Sequence, residues 1–288
     1  MGDRSEFFDT PLPSPITEFV CQVMSNMDGQ QHYANGTAVI VSPFLALSAR
    51  HVIEEHWRIH EGEREMFPGE GTGRFSLILA QLVGLELNLW TVTRLWTSGH
   101  TDIVAFRLTP YSPGAMAYTF RHLTLDLLPP AVGERISAFG YHSNEIEERD
   151  HEIVLLQGAA TTHGTVLEVH DEFRDKARLR FPCFRTNARF DGGMSGGPVF
   201  NAAGHLCGMI CSALPPTADD EDHASYVVSL WPAMAIMIEL DREGHPKGVR
   251  YPMFELVRDN MLVARNADRV SVGEAEGTDS PPISLRGR

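Results

Sequence analysis

At 288 residues the chain is long enough for a sizeable core and, by length alone, about two domains. Its 43 % hydrophobic and 22 % charged content is ordinary for a soluble globular protein. A formal net charge of −14 argues against nucleic-acid binding, because no basic patch is there to release phosphate counterions, and it disfavours anionic membranes too. The acidity reads as plain solubility.

Residues 1–17 are polar and punctuated by Pro11, Pro13 and Pro15, which predicts a mobile or extended lead-in. No charged-then-apolar signal pattern stands at the N-terminus, and no run approaches ~18 apolar residues, so a cytoplasmic address without a membrane span is expected. Ile16 to Met24 is a short strand or a short helix; its pattern does not decide. Gly36 to Val41 reads as a strand, Ser42-Pro43 as a turn, and Leu45 to Ser48 as the returning strand. His51 follows where that strand ends, with a short helical segment from Val52 to about His60 and an exposed Glu/Gly-rich loop over Glu61 to Gly73. Phe75 to Trp96 is strand-like, marked by Leu85, Leu87 and Leu89 at a period of two. Asp102 heads a further strand to Leu108, and Tyr111 to Pro130 is a proline-rich crossover.

The second half opens on a strand from Val132 to Tyr141 and a polar loop from His142 to Glu152. Ile153 to Val169 reads as a hairpin turning near His163-Gly164, and His170 to Lys176 as a charged turn. Leu179 to Asn187 leads into Asp191-Gly192-Gly193-Met194-Ser195-Gly196-Gly197-Pro198, and Gly204 to Ser212 leads out. Tyr226 to Leu230 is a strand. Trp231-Pro232 then predicts a helix, with Met234, Met237, Ile238 and Leu240 on its apolar face. Cys207 and Cys211, four apart on one strand, should face the same side. Their spacing suits either a metal site with His205 or Cys183 or a pair of buried free thiols, and buried thiols are expected. Past Asp241 there is one weak apolar segment, Tyr251 to Val263, and a tail expected to be disordered from about Asn266.

Glycines on both sides of Ser195 allow a turn tight enough to project the hydroxyl while the Gly193 and Ser195 amides converge on one point. Two converging amides are what a tetrahedral oxyanion needs. A serine hydroxyl also needs a base and an acid, and His51 and Asp102 precede it in that order. Taken singly, each has a plainer reading: a glycine-rich turn, a core histidine, a capping acid at a strand start. His100 reads as bystander surface.

With these three motifs in order, roughly residues 35 to 240 resemble the chymotrypsin-type (trypsin-like) serine endopeptidases, especially their disulfide-free bacterial HtrA-like and glutamyl-endopeptidase-like branch. The resemblance implies an all-β fold of two antiparallel β-barrels with a C-terminal helix. The protease would span 18–240, the first barrel about 18–110 and the second about 131–240, with 241–288 as an extension. It implies a His51, Asp102, Ser195 triad, an oxyanion hole from Gly193 and Ser195, and Glu54 and Glu55 pointing away on the helix after the histidine. Val52 and Asp191 stand where secreted animal members carry bridged cysteines, so no structural disulfide and a reducing compartment are expected. Met194 stands where those members carry the aspartate that pairs with a new N-terminus after cleavage, so no activation by N-terminal processing is expected. The HtrA branch carries a peptide-binding module after the protease, and this chain shows no such segment. By motif position Arg189, Phe190, Ala213, Ala224 and Tyr226 line the primary pocket, which suits a small or medium aliphatic residue before the cut. The expected partners are a protein or peptide substrate, with an activating protein partner left open and neither nucleic acid nor membrane; no cofactor and no metal are implied. The alternative is a catalytically silent, protease-like peptide-binding module.

Overall fold

The computed structural model describes residues 5–27, 31–54, 75–149, 152–214, 224–239, 248–275 and 280–286. The loop expected over 61–73, Glu55 and most of the helix after it lie outside them; residues 51–54 are helical. The polar lead-in is not free. Strand β1 (Glu6–Asp9) lies antiparallel on the second barrel, with Glu6 opposite His163 and Asp9 opposite Ala160.

The first barrel is a closed ring of β2 (Val20–Met27), β3 (Gln31–Ser42), β4 (Leu45–Ala49), β5 (Phe75–Val83), β6 (Glu86–Thr97) and β7 (Ile103–Pro110). The undecided segment resolves into a single 3-10 turn over Pro15–Glu18 and then β2. In β6 the leucines that mark the strand do not face the core. Leu85 sits in the preceding turn, 90 % exposed, and Leu87 is 51 % exposed. Asn88, Trp90 and Val92 are the buried set. Gln81 sets this parity: its Oε1 accepts from the Trp90 indole at 2.9 Å and from the Asn88 amide at 3.4 Å. A shift of one residue would turn the whole strand over and bury neither partner.

The crossover carries a helical turn over Pro113–Ala117, capped by the Ser112 hydroxyl, and β8 (Thr124–Asp126). The second barrel then closes through β9 (Arg135–Arg149), β10 (Glu152–His170), β11 (Cys183–Thr186), β12 (Pro198–Asn201), β13 (Leu206–Leu214) and β14 (Ala224–Ser229). The ring runs β12-β9-β10-β11-β14-β13 and returns to β12. Two expectations fail here. The polar stretch 142–149 continues β9, and β10 runs unbroken through His163-Gly164, opposite Ser137 and Ile136. Gly164 marks a close approach, not a turn: a Cβ there would sit 2.5 Å from the Ala188 nitrogen.

The helix expected after Trp231-Pro232 is a 3-10 turn, Trp231–Ala235, followed by β15 (Met237–Glu239), which pairs with β16 (Arg250–Pro252). Of its expected apolar face Met234, Met237 and Ile238 are buried all the same, and Leu240 lies outside the described residues. A short helix over Phe254–Arg258 follows. Beyond Asn266 the described residues of the extension form further strands. β17 (Val263–Arg265) pairs parallel with β8, and β18 (Val270–Val272) pairs with β19 (Ile283–Leu285). Met253, Leu256, Leu262 and Val270 join one apolar core with Val39 and Leu45 of the first barrel and Leu206 and Met209 of the second. Burial of this kind is what overrides the tail's polar composition. Among the described residues no helix is long and apolar enough to cross a membrane.

Candidate active site

The histidine and the aspartate meet because two neighbouring strands end together. Ala49, the last residue of β4, is in register with Ile103, the first of β7. The Arg50 amide donates to the Asp102 carbonyl at 2.5 Å and the His51 amide to Asp102 Oδ1 at 3.3 Å. His51 Nδ1 and Asp102 Oδ2 are then 2.6 Å apart, which leaves Nε2 as the ring's second nitrogen. Asp102 is buried, whereas the His51 side chain is 40 % exposed. Burial pulls the imidazolium pKa down. The Asp102 hydrogen bond and charge, with help from Glu54, outweigh it, so His51 stands above the ordinary histidine value. His100 is exposed and apart. Glu54 does not point away as expected: it lines the same cleft as His51.

The serine turn is fastened from three directions. Within it the Met194 amide donates to the Asp191 carbonyl and the Gly197 amide to the Met194 carbonyl. From β13, Gly196 and Ile210 are tied by Gly196 N–H to the Ile210 carbonyl and Ile210 N–H to the Gly197 carbonyl, each 2.8 Å. From the first barrel, Thr37 donates its amide to the Ser195 carbonyl at 2.9 Å and its hydroxyl to the Gly193 carbonyl at 3.1 Å. That hydroxyl accepts in turn from the Tyr141 amide on β9. Gly193 and Gly196 have φ of 92° and 81°, a region closed to most side chains, so the turn depends on glycine at both. The Gly193 and Ser195 amides donate to no acceptor among the described residues.

Cys211 joins the two halves. Its carbonyl accepts from the Ser195 hydroxyl at 3.4 Å, and its thiol donates to Asp102 Oδ2 at 3.3 Å. Burial first, then the Asp102 charge, push the thiol pKa well up, so it stays protonated and donates. Cys207 does not share its face. Against β12 the register slips at Cys207, with Leu206 opposite Phe200 and Gly208 opposite Val199; this extra residue puts Cys207 in the core with Val199 and Ile210, while Met209 and Cys211 face the other cluster. The Cys207 thiol donates to the Val199 carbonyl. All four cysteines are free and buried.

A cleft of about 380 Å³ opens beside the pair. Arg50, His51, Glu54 and Asp102 form one side, and Leu179, Phe181, Cys211 and Tyr226 an apolar floor. Arg174, Arg178 and Ser212 complete it. Of the five residues expected in a primary pocket, Tyr226 lines this cleft. Arg189 instead holds Asp191 through two 2.8 Å contacts and lies over the Phe7 ring, and Phe190 is packed in the core with Met194. An acid two residues on satisfies the guanidinium, and buried methionine satisfies the ring, so neither turns to the cleft. Ala213 and Ala224 are placed by backbone register, opposite Ser225 and Leu214. Sequence reasoning missed Arg174 and Arg178. The charged turn was visible, but nothing local says it folds back over the histidine of the other barrel.

Two closed antiparallel barrels, with an aspartate-held histidine and a serine on a glycine turn linked through Cys211, are the architecture of the double-barrel serine peptidases. A profile of the trypsin-like peptidase domain matches residues 36–209, more than half of the chain, and the chain belongs to that family of serine endopeptidases. No curated protein matches it. Among solved structures it is similar to the active form of the Rv3671c protease from M. tuberculosis, at 14 % identity and TM-score 0.45, covering 81 % of this chain and 84 % of that one. It is also similar to the MamO protease domain from Magnetospirillum magneticum, at 15 % identity and TM-score 0.44, covering 75 % and 93 %. For neuropsin from mouse brain the figures are 13 %, 0.44, 74 % and 89 %.

Proposed function

We propose that Ser195, His51 and Asp102 carry out peptide-bond hydrolysis in a protein or peptide substrate. The observation that carries this reading is the 2.6 Å His51–Asp102 pair beside the glycine-bounded serine, bridged to it by Cys211. In this reading the Ser195 hydroxyl leaves the Cys211 carbonyl for His51 Nε2 as substrate binds. Apo hydrogen bonds of this kind commonly close only with substrate bound. His51 takes the serine proton as Oγ bonds to the carbonyl carbon, then gives it to the departing amine as the C–N bond breaks. Water, deprotonated by the same nitrogen, releases the acyl group. Asp102 holds the imidazole by Nδ1 and stabilises its charged form. The unengaged Gly193 and Ser195 amides would take the oxyanion, each donor contributing about 3 kcal/mol in comparable sites.

The hydroxyl's resting place on Cys211, together with methionine at 194, supports a second reading, an enzyme ordered by a protein partner before it acts. The four buried thiols favour a reducing, cytoplasmic setting. Labelling by a serine-directed phosphonate, wild type beside Ser195→Ala, with and without reductant, tests both readings. Serine-dependent labelling in both conditions supports a preformed site. A folded wild type that does not label refutes it and leaves the partner-ordered enzyme or the silent binding module.

A further inference from the structure

Resting on that reading, we propose that the cleft beside His51 selects substrates with an aspartate or glutamate flanking the scissile bond, gripped by Arg178 and Arg174 above an apolar floor. The loop between β10 and β11 that carries both arginines is built to hold its shape. Asp175 accepts the Ala177 amide at 2.8 Å and the Arg178 amide at 2.7 Å, and the Arg174 and Asp175 amides donate to the Leu179 carbonyl. Those backbone bonds lower the Asp175 pKa and fix the backbone of the turn from which Arg174 and Arg178 reach the cleft. The Arg174 guanidinium carbon lies over the Tyr226 ring, 4.7 Å from its centroid, and its ion pair with Asp175 is solvent-exposed. Arg178 has no acidic partner among the described residues, although the chain carries 38 acids against 24 bases.

On the opposite side the Arg50 Nε is buried and unbonded among the described residues. The Asp102 charge does not oppose an incoming acid strongly, because His51 and Cys211 both address it. Three arginines, Arg50, Arg174 and Arg178, line the cleft against two acids, Glu54 and Asp102, so an otherwise acidic molecule carries a local excess of positive charge there that favours an anion and rejects a cation. Leu179, Phe181 and Tyr226 beneath it take the apolar part of the same segment.

The test is a peptide panel in which Asp, Ala and Lys are placed in turn at each position flanking the cut. The expected result is one position where Asp exceeds Lys in kcat/KM by roughly tenfold, the discrimination one partly solvated charge pair supplies. The ratio should collapse in R174A/R178A, reverse in R178E, and shrink at about 1 M salt, where screening acts within about 3 Å. Urea unfolding of the Arg178 variants at the wild-type midpoint shows that they are folded. A flat profile, a preference for Lys, or a ratio unmoved in R178E would overturn the proposal while leaving the peptidase reading intact. Anisotropy of fluorescent acidic and basic peptides on Ser195→Ala reads the same cleft without catalysis. Tighter binding of the acidic peptide supports the proposal even if the phosphonate fails to label, and equal binding overturns it.

Discussion

Met194→Ala tests what holds the serine turn in shape. The side chain is 0 % exposed and sits in the core of the second barrel with Ile136, Ala138, Phe190 and Ile210. Its sulfur accepts the Asp191 amide at 3.3 Å, and its backbone packs so close to Gly140 that a Cβ there would lie 2.7 Å from the Met194 Cα. A Cβ-only residue in that space leaves a cavity and an unpaired amide. Buried Met→Ala changes cost about 2–5 kcal/mol, and we expect about 3 kcal/mol by urea unfolding. The turn begins one residue before the nucleophile, so part of the loss should fall on turn order alone. If half does, phosphonate labelling slows about tenfold. Met194→Leu keeps the volume and should cost less than about 1.5 kcal/mol, with labelling little changed. An alanine variant that loses the expected stability but labels at the wild-type rate would show that the turn is held by the Thr37 and Ile210 bonds alone. A loss under ~1 kcal/mol would refute the packing argument itself.

His51 must be neutral to act, and its pKa is raised, so the kcat/KM profile should climb with pH through a midpoint above the ordinary histidine value. Asp102→Asn removes the hydrogen bond and charge that raise it and leaves burial. The midpoint should then move to lower pH while the rate falls about 10⁴-fold; an unmoved midpoint counts against the pair. Gln81→Leu strands the buried Trp90 N–H and should cost about 1–3 kcal/mol in urea unfolding without altering labelling. Phe7→Ala removes the ring under Arg189 from the strand clasped to β10; about 1 kcal/mol of stability should go, whereas a mobile lead-in would show no change.

The local backbone of the candidate site was legible wherever it depends on neighbours in sequence. A histidine just past a strand, an aspartate at the head of another and a serine between glycines each announce their local backbone, and the two strand ends meet by register alone. What was not legible depends on parity or on distant approach. Cys207 and Cys211 look equivalent until one bulged residue sends them into different cores. Gly164 looks like a turn because the cause of its glycine, Ala188, is a tertiary neighbour. Leu85 and Leu87 outline a strand correctly and mislead about its face, because one buried glutamine, not the leucines, decides which side is in. Arg174 and Arg178 belong to the same class. Their composition said only that the turn is charged; closure of the second barrel sets that charge against His51 of the first. The acid preference proposed for the cleft is therefore a property of the assembled barrels and not of any motif.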